Sequence, residues 1–196
     1  MRFLFILPVV VLLSACVGNV RQSELASFDL GAVAVAWKPA EVPLRGVDVA
    51  APSWLATTAI QYRLLYADAL RRQAYTESRW AAQPAELIER ALNRQPAAGT
   101  GGCRLRLDLD ELVQVFDAPG ASRAQLDARA SLLSPRGDVV LARKSFAVMH
   151  AAPSADARGA VAATGAALRT LAGELGNWLT QAARETPAIG ERCKGG

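Results

Sequence analysis

Leu105-Arg106-Leu107-Asp108-Leu109-Asp110-Glu111-Leu112-Val113-Gln114-Val115-Phe116 is the stretch on which the fold turns. Leucines at every second position, separated by charged residues, have the two-residue period of a strand with one face buried and one in water. Glu111 breaks that alternation, which predicts a bulge or an edge there. Downstream, Ala118-Pro119-Gly120 reads as a turn, and Ala124, Leu126, Ala128, Ala130 and Leu132 alternate again. Ser134-Pro135-Arg136-Gly137-Asp138 then makes a second turn before Val139 to Met149. Three antiparallel strands in a meander follow. Arg136-Gly137-Asp138 spells an adhesion tripeptide, but tight-turn chemistry accounts for it.

Moving outward, Pro84 suits the first position of a helix, on which Trp80, Leu87, Ile88, Ala91 and Leu92 share one face, with Pro96 and Gly99 ending it. The segment Ile60 to Tyr66, followed by Arg72 to Thr76, reads as a hairpin, while a single helix from Leu55 to Tyr75 is the alternative that periodicity does not decide. Phe28 to Trp37 and Val47-Asp48-Val49 are expected as the first two strands. Toward the C-terminus, Ser154 is placed to cap a long helix from Ala155 to about Arg184, with Asp156 in its first turn. Val161, Leu168, Leu171, Leu175, Trp178, Leu179 and Ala182 form its core stripe, and the small residues beside them would also admit a neighbouring subunit. The expected architecture is one α+β domain over 28–184. A largely antiparallel sheet packs against helices as a two-layer sandwich, and a loose tail covers 185–196.

The N-terminus has a different character. Arg2 precedes an apolar run from Phe3 to Leu13, broken only by Pro8, with small residues before Cys16. That is the layout of a secretory signal peptide over 1–15, and the run is short of the ~20 residues that cross a bilayer. Leu13-Ser14-Ala15-Cys16 resembles the lipobox of bacterial lipoproteins. The resemblance implies cleavage before Cys16 and covalent diacylglyceryl and N-acyl chains, such as palmitate, on that residue. The alternative is an ordinary signal peptide with a chance cysteine. Several acyl chains would anchor the protein durably. Val17-Gly18-Asn19, with no aspartate after the cysteine, points to the outer membrane, and 16–27 reads as the lipidated end and a flexible tether.

The precursor carries 22 Lys+Arg against 18 Asp+Glu, and loss of Arg2 leaves 21 against 18. These charges are dispersed without a basic run, so nucleic acid is not an expected partner. With Cys16 lipidated, Cys103 and Cys193 remain, either bonded in an oxidising periplasm or as two free thiols. Catalysis finds little to work with. The single histidine, His150, sits at a strand end without a nucleophile-elbow sequence, and Asp108, Asp110 and Glu111 read as a solubilising strand face. Gly99-Thr100-Gly101-Gly102 lacks the lysine of a phosphate loop. No enzyme, metal or other cofactor is expected.

Ile60-Gln61-Tyr62-Arg63, Gln73-Ala74-Tyr75 and Ser78-Arg79-Trp80-Ala81-Ala82-Gln83-Pro84 together resemble the signature of the ABC-type transport auxiliary lipoprotein family, the paraquat-inducible protein C-like proteins. The closing helix with Asn177-Trp178-Leu179 fits as well, so the likeness spans about 28–182. On the residues themselves, Tyr62, Tyr75, Trp80 and Trp178 read as core anchors, with Arg63 and Arg79 pairing locally. The resemblance implies a periplasm-facing, non-catalytic component working with an MCE-domain protein and an inner-membrane ABC transporter complex. Such a system moves lipids or other hydrophobic molecules between membranes, and a homo-oligomer could match a ring-shaped partner. Trp37 and Trp54 are the expected exposed contacts. A direct lipid carrier, or an envelope-assembly lipoprotein unrelated to transport, are the alternative roles.

Overall fold

The computed structural model describes residues 25–31, 37, 41–94 and 102–194. Its elements are β1 (Ala26–Phe28), β2 (Leu44–Ala50), β3 (Ala59–Leu64), β4 (Asp68–Trp80), α1 (Pro84–Asn93), β5 (Cys103–Ala118), β6 (Ala121–Leu133), β7 (Val140–Ala151), α2 (Ala157–Glu185) and α3 (Pro187–Lys194). They form an α+β domain with one seven-stranded open sheet, ordered β1-β4-β3-β5-β6-β7, and β2 also pairing with β5. The meander is β5, β6 and β7, joined by long antiparallel ladders. The hairpin is β3 and β4, which displaces the helical alternative.

The sheet is more mixed than its sequence suggests. Among the described residues β1 runs parallel to β4, and both β2 and β3 run parallel to β5. β2 flanks the first half of β5 and β3 flanks its end, so two short strands share one edge of a long one.

The bulge falls where Glu111 breaks the alternation. Leu109 pairs with Ala128 and Glu111 with Asp127, leaving Asp110 unmatched. One extra residue inverts the phase of everything beyond it. Leu105, Leu107 and Leu109 face the helices before the bulge. After it Leu112 and Gln114 do, opposite Leu126 and Ala124 of β6.

α2 lies across β6 and β7 and buries Leu168, Leu171, Leu175, Trp178 and Leu179. Of its small residues, Ala163 and Ala167 are buried under the same sheet, while Ala162 is exposed. Asp156, not Ser154, is the N-cap: its Oδ1 accepts from the Gly159 N–H at 2.7 Å, and the Ser154 hydroxyl donates to it at 2.7 Å. Asp156 sits one residue before the first helical turn with its carboxylate able to reach the third amide, and Ser154 becomes the group that orients it.

α1 begins at Pro84 as expected and seals the free side of β2. Asn93 exchanges hydrogen bonds with the Val47 amide and carbonyl, and Glu89 accepts from the Val49 N–H at 2.8 Å. Those bonds satisfy backbone groups that an edge strand would otherwise expose. Trp80 does not belong to the helix: it ends β4, and its strand geometry, not helical spacing, points it into the core. The tail after Pro187 is not loose either. It forms α3, buries Ile189, and is tied to the start of β5 by the Cys103–Cys193 disulfide, with Cα atoms 4.9 Å apart. The signal peptide, Cys16, most of the tether, the 32–36 part of the first expected strand and the glycine-rich 99–101 lie outside the described residues.

Candidate functional site

The β3–β4 hairpin gathers most of the signature residues, and its two faces are built differently. On the helix side the Tyr62 and Tyr75 rings lie 4.9 Å apart, and Tyr62 meets Phe116 edge-on at 5.9 Å. The Tyr62 hydroxyl donates to Gln73 at 3.2 Å and the Tyr75 hydroxyl to Gln114 at 2.6 Å. Gln114, 2 % exposed, passes the chain on by donating to the Ser122 hydroxyl at 2.8 Å. A buried amide with both its oxygen and its nitrogen engaged fixes the rings relative to β5.

Burial first, then the nearby Asp156 carboxylate and Tyr62, push the Tyr75 phenol up to about 12. Its folded value therefore exceeds its ordinary value of 10.0. Stability from this group is complete below the unfolded value and is lost as pH rises through the folded one, because the unfolded chain gives up the proton first. We expect wild type to lose stability relative to Tyr75→Phe between about pH 10 and 12. Urea unfolding of the two across that range checks it, and parallel curves would refute it.

On the opposite side of the sheet Glu111 is the hub. It accepts from Arg72 at 2.6 Å and from Arg63 at 3.1 Å, and Arg72 also donates to Gln61. The Glu111 side chain is 14 % exposed, so its charge is largely withdrawn from water. Glu111→Ala would leave two guanidinium groups facing each other without a counter-charge. Complete burial would make that cost ~3–5 kcal/mol; with both arginines partly solvated we expect about 1–3 kcal/mol in urea unfolding, recovered in part by Glu111→Gln. The remaining pairs on this face, Asp48–Arg104, Arg106–Asp108, Asp110–Arg129 and Asp117–Arg123, are more exposed. Water screens such exposed pairs, and each contributes little to stability. No described helix covers this face: α2 crosses β6 and β7 on the other.

The hairpin tip has no such compensation. Leu65, Tyr66 and Leu70 are 40 %, 48 % and 93 % exposed. Arg63 pairs with Arg72 but Leu64 with Asp68, so Ala69, Leu70 and Arg71 have no partner on β3.

Other expected residues fall as follows. Trp80 and Trp178 are buried, the latter edge-on to Phe146 at 5.9 Å. Arg63 pairs across the sheet with Glu111 instead of locally, and Arg79 is exposed with no carboxylate within ion-pair distance among the described residues. Trp54 is 55 % exposed at the edge of the uncovered face, where its carbonyl accepts from Gln61. Trp37 is not a surface residue. It is 6 % exposed, its indole N–H donates to the Leu92 carbonyl at 3.3 Å, and Gly176 lets its backbone approach α2 closely. His150, next to last in β7, lies against the Thr170 hydroxyl at 3.0 Å. Sequence reasoning misses both the role of Glu111 as a hub and the apolar tip; the unbroken Leu64-Leu65-Tyr66 run is the available signal for the tip.

The apolar gap lined by Leu30, Trp80, Leu87, Ile88 and Leu112 is too narrow to admit a water molecule. An open groove of about 460 Å³ lies beside Asp48, Arg104, Arg106 and Arg136, with Val49, Ala50 and Leu133 also in its wall. No group of three or more metal-ligating side chains occurs among the described residues.

A search of curated proteins returned no significant match. A crystal structure of a Xanthomonas campestris protein of the DUF330 family superposes with a TM-score of 0.64 at 19 % identity, covering 78 % of this chain and 91 % of that one. Another, of an uncharacterized protein, gives a TM-score of 0.58 at 12 % identity, covering 80 % and 99 %. These likenesses establish a shared fold. The family model described as "ABC-type transport auxiliary lipoprotein component" matches residues 32–176, from before β2 through most of α2, and the chain belongs to that family.

Proposed function

We propose that this protein is an outer-membrane lipoprotein, anchored through acyl chains on Cys16 and facing the periplasm. It docks an MCE-domain protein whose inner-membrane ABC transporter moves lipids or other hydrophobic molecules between the membranes. The family is an auxiliary component of ABC-type transport, which accords with a role in contact and not in turnover. The observation that carries the docking reading is the sheet face left without a described covering element, polar and ion-paired, with Trp54 at its edge. Such a mixture of an exposed aromatic and ordered arginines suits a protein interface. A closed circle of copies could present this face repeatedly to a ring-shaped partner. Among the described residues the apolar gap between sheet and helices is too narrow for a ligand, so the carrier alternative finds no support there, since ligand sites of this kind occupy ~300 Å³ or more of largely apolar space.

The test is co-purification from membranes with identification of partners, repeated with Cys16→Ala. We expect the wild type to bring down an MCE-domain protein and transporter subunits. The Cys16→Ala chain should lose the membrane fraction yet still bind the MCE-domain protein in solution. Recovery of neither partner by the membrane-bound wild type would overturn the reading.

A further inference from the structure

We infer that the tip of the β3–β4 hairpin is a second contact with the lipid bilayer, an inference that rests on the reading of Cys16 as the anchor. β1 is parallel to β4, with Ala26 level with Ser78 and Phe28 with Trp80. The chain therefore enters β1 from the side on which β4 begins, which is the hairpin end. From Ser78 back to Leu70 is about 26 Å of strand, and the segment between Cys16 and Ala26 can extend to about 35 Å. The anchor is long enough to let that end touch the membrane and short enough to keep it near.

The end itself has the right composition. Leu70 stands 93 % exposed on the unpartnered Ala69–Arg71 bulge, with Leu65 and Tyr66 beside it. The tip is braced against β5 by the Leu65 N–H donating to the Phe116 carbonyl at 2.9 Å. The neighbouring loops, Ala118-Pro119-Gly120-Ala121 and Ala151-Ala152-Pro153-Ser154-Ala155, are exposed over most of their length and carry no charged side chain, and the carboxylates that flank them are engaged, Asp117 by Arg123 and Asp156 as the α2 N-cap. Register places them at the same end, because Leu64 is level with Phe116 and Arg123 with Ala151. The opposite end presents Arg136, Asp138, Arg184, Arg192 and Lys194. A bilayer accepts leucine side chains into its acyl boundary, tyrosine at headgroup level, and an arginine such as Arg71 beside lipid phosphates. Asp68, the one carboxylate in the tip, has an oxygen engaged by the Leu70 N–H at 3.1 Å.

The experiment uses Leu70→Cys carrying an environment-sensitive fluorophore, with Arg136→Cys as the label at the far end. Both are placed in the mature chain with Cys16→Ser, held on vesicles of phosphatidylethanolamine and phosphatidylglycerol by an N-terminal histidine tag on nickel-chelating lipid. The tether is then supplied independently of cellular processing. We expect a blue shift at Leu70, with quenching by acyl-chain nitroxide lipids, and neither at Arg136. An aqueous spectrum at both sites would overturn the inference. So would a shift at Leu70 that grows with protein concentration in the absence of vesicles, which would assign the tip to a second copy. Mass spectrometry of the N-terminal peptide from cells tests the anchor separately. An unmodified Cys16 there would overturn the anchor reading, and the inference with it, even where the tip proves able to insert.

Discussion

Replacing both Cys103 and Cys193 with alanine is expected to lower the unfolding free energy by about 4.5 kcal/mol in the chain-entropy account of cross-linking. The bond spans 90 residues of sequence, so in the unfolded chain it closes a long loop and removes correspondingly many conformations. Both sulfur-bearing residues are essentially fully buried, and the bond fastens α3 to the first residue of β5. Without it α3 keeps Ile189 as its main buried side chain, and an eight-residue helix is too short to persist by itself. The loss would therefore have two parts. Global stability falls in urea unfolding, and amides of α3 exchange with solvent well before those of β5 and β6. A domain of this size has ~5–15 kcal/mol in total, so folding in a reducing compartment would be compromised. A change below about 1 kcal/mol, with α3 still protected, would refute the assignment of this bond as the principal constraint on the C-terminus.

What can be read in advance is whatever repeats locally. Leu105, Leu107 and Leu109 declare a strand because their period is short, and Glu111 declares a bulge because it breaks that period in place. The stripe from Leu168 to Ala182 works the same way in a helix. Parallel pairing leaves no such mark. Nothing in Leu44–Ala50 or Ala59–Leu64 tells that both lie along one edge of β5, because that register is set by contacts far away in sequence. The N-cap lies two residues beyond its expected place because Ser154 and Asp156 both satisfy the local pattern. The choice is made by Gly159, whose missing Cβ lets the Ser154 carbonyl fold over the helix start. The site is legible in its parts and not in its assembly. Tyr62, Arg63 and Tyr75 are marked by resemblance, yet the partners that organise them, Gln114 and Glu111, come from β5 and join them through the parallel pairing.

Trp37 makes the same point in a form that can be measured. A glycine inside a helix ordinarily weakens it by ~0.5–1 kcal/mol relative to alanine, so Gly→Ala on α2 should stabilise the protein wherever the added methyl meets nothing. At Gly173, exposed and with no atom within 4 Å of where an alanine methyl would sit, that gain is the expected result. At Gly176, one turn further on, the methyl would lie 2.4 Å from the Trp37 carbonyl oxygen, well inside contact distance. Trp37 must then withdraw from α2, and its indole hydrogen bond to the Leu92 carbonyl, which links it to α1, must stretch or break. The core closed by Trp37 opens at that point. We expect Gly176→Ala to destabilise by about 2–3 kcal/mol, the range for forcing a methyl into a filled interior, while Gly173→Ala stabilises. Tryptophan emission of the Gly176→Ala protein should shift to the red as the Trp37 ring meets water, and the shift should vanish in a Trp37→Phe background. Equal and favourable effects at the two glycines would mean that Trp37 is not held against α2 in solution.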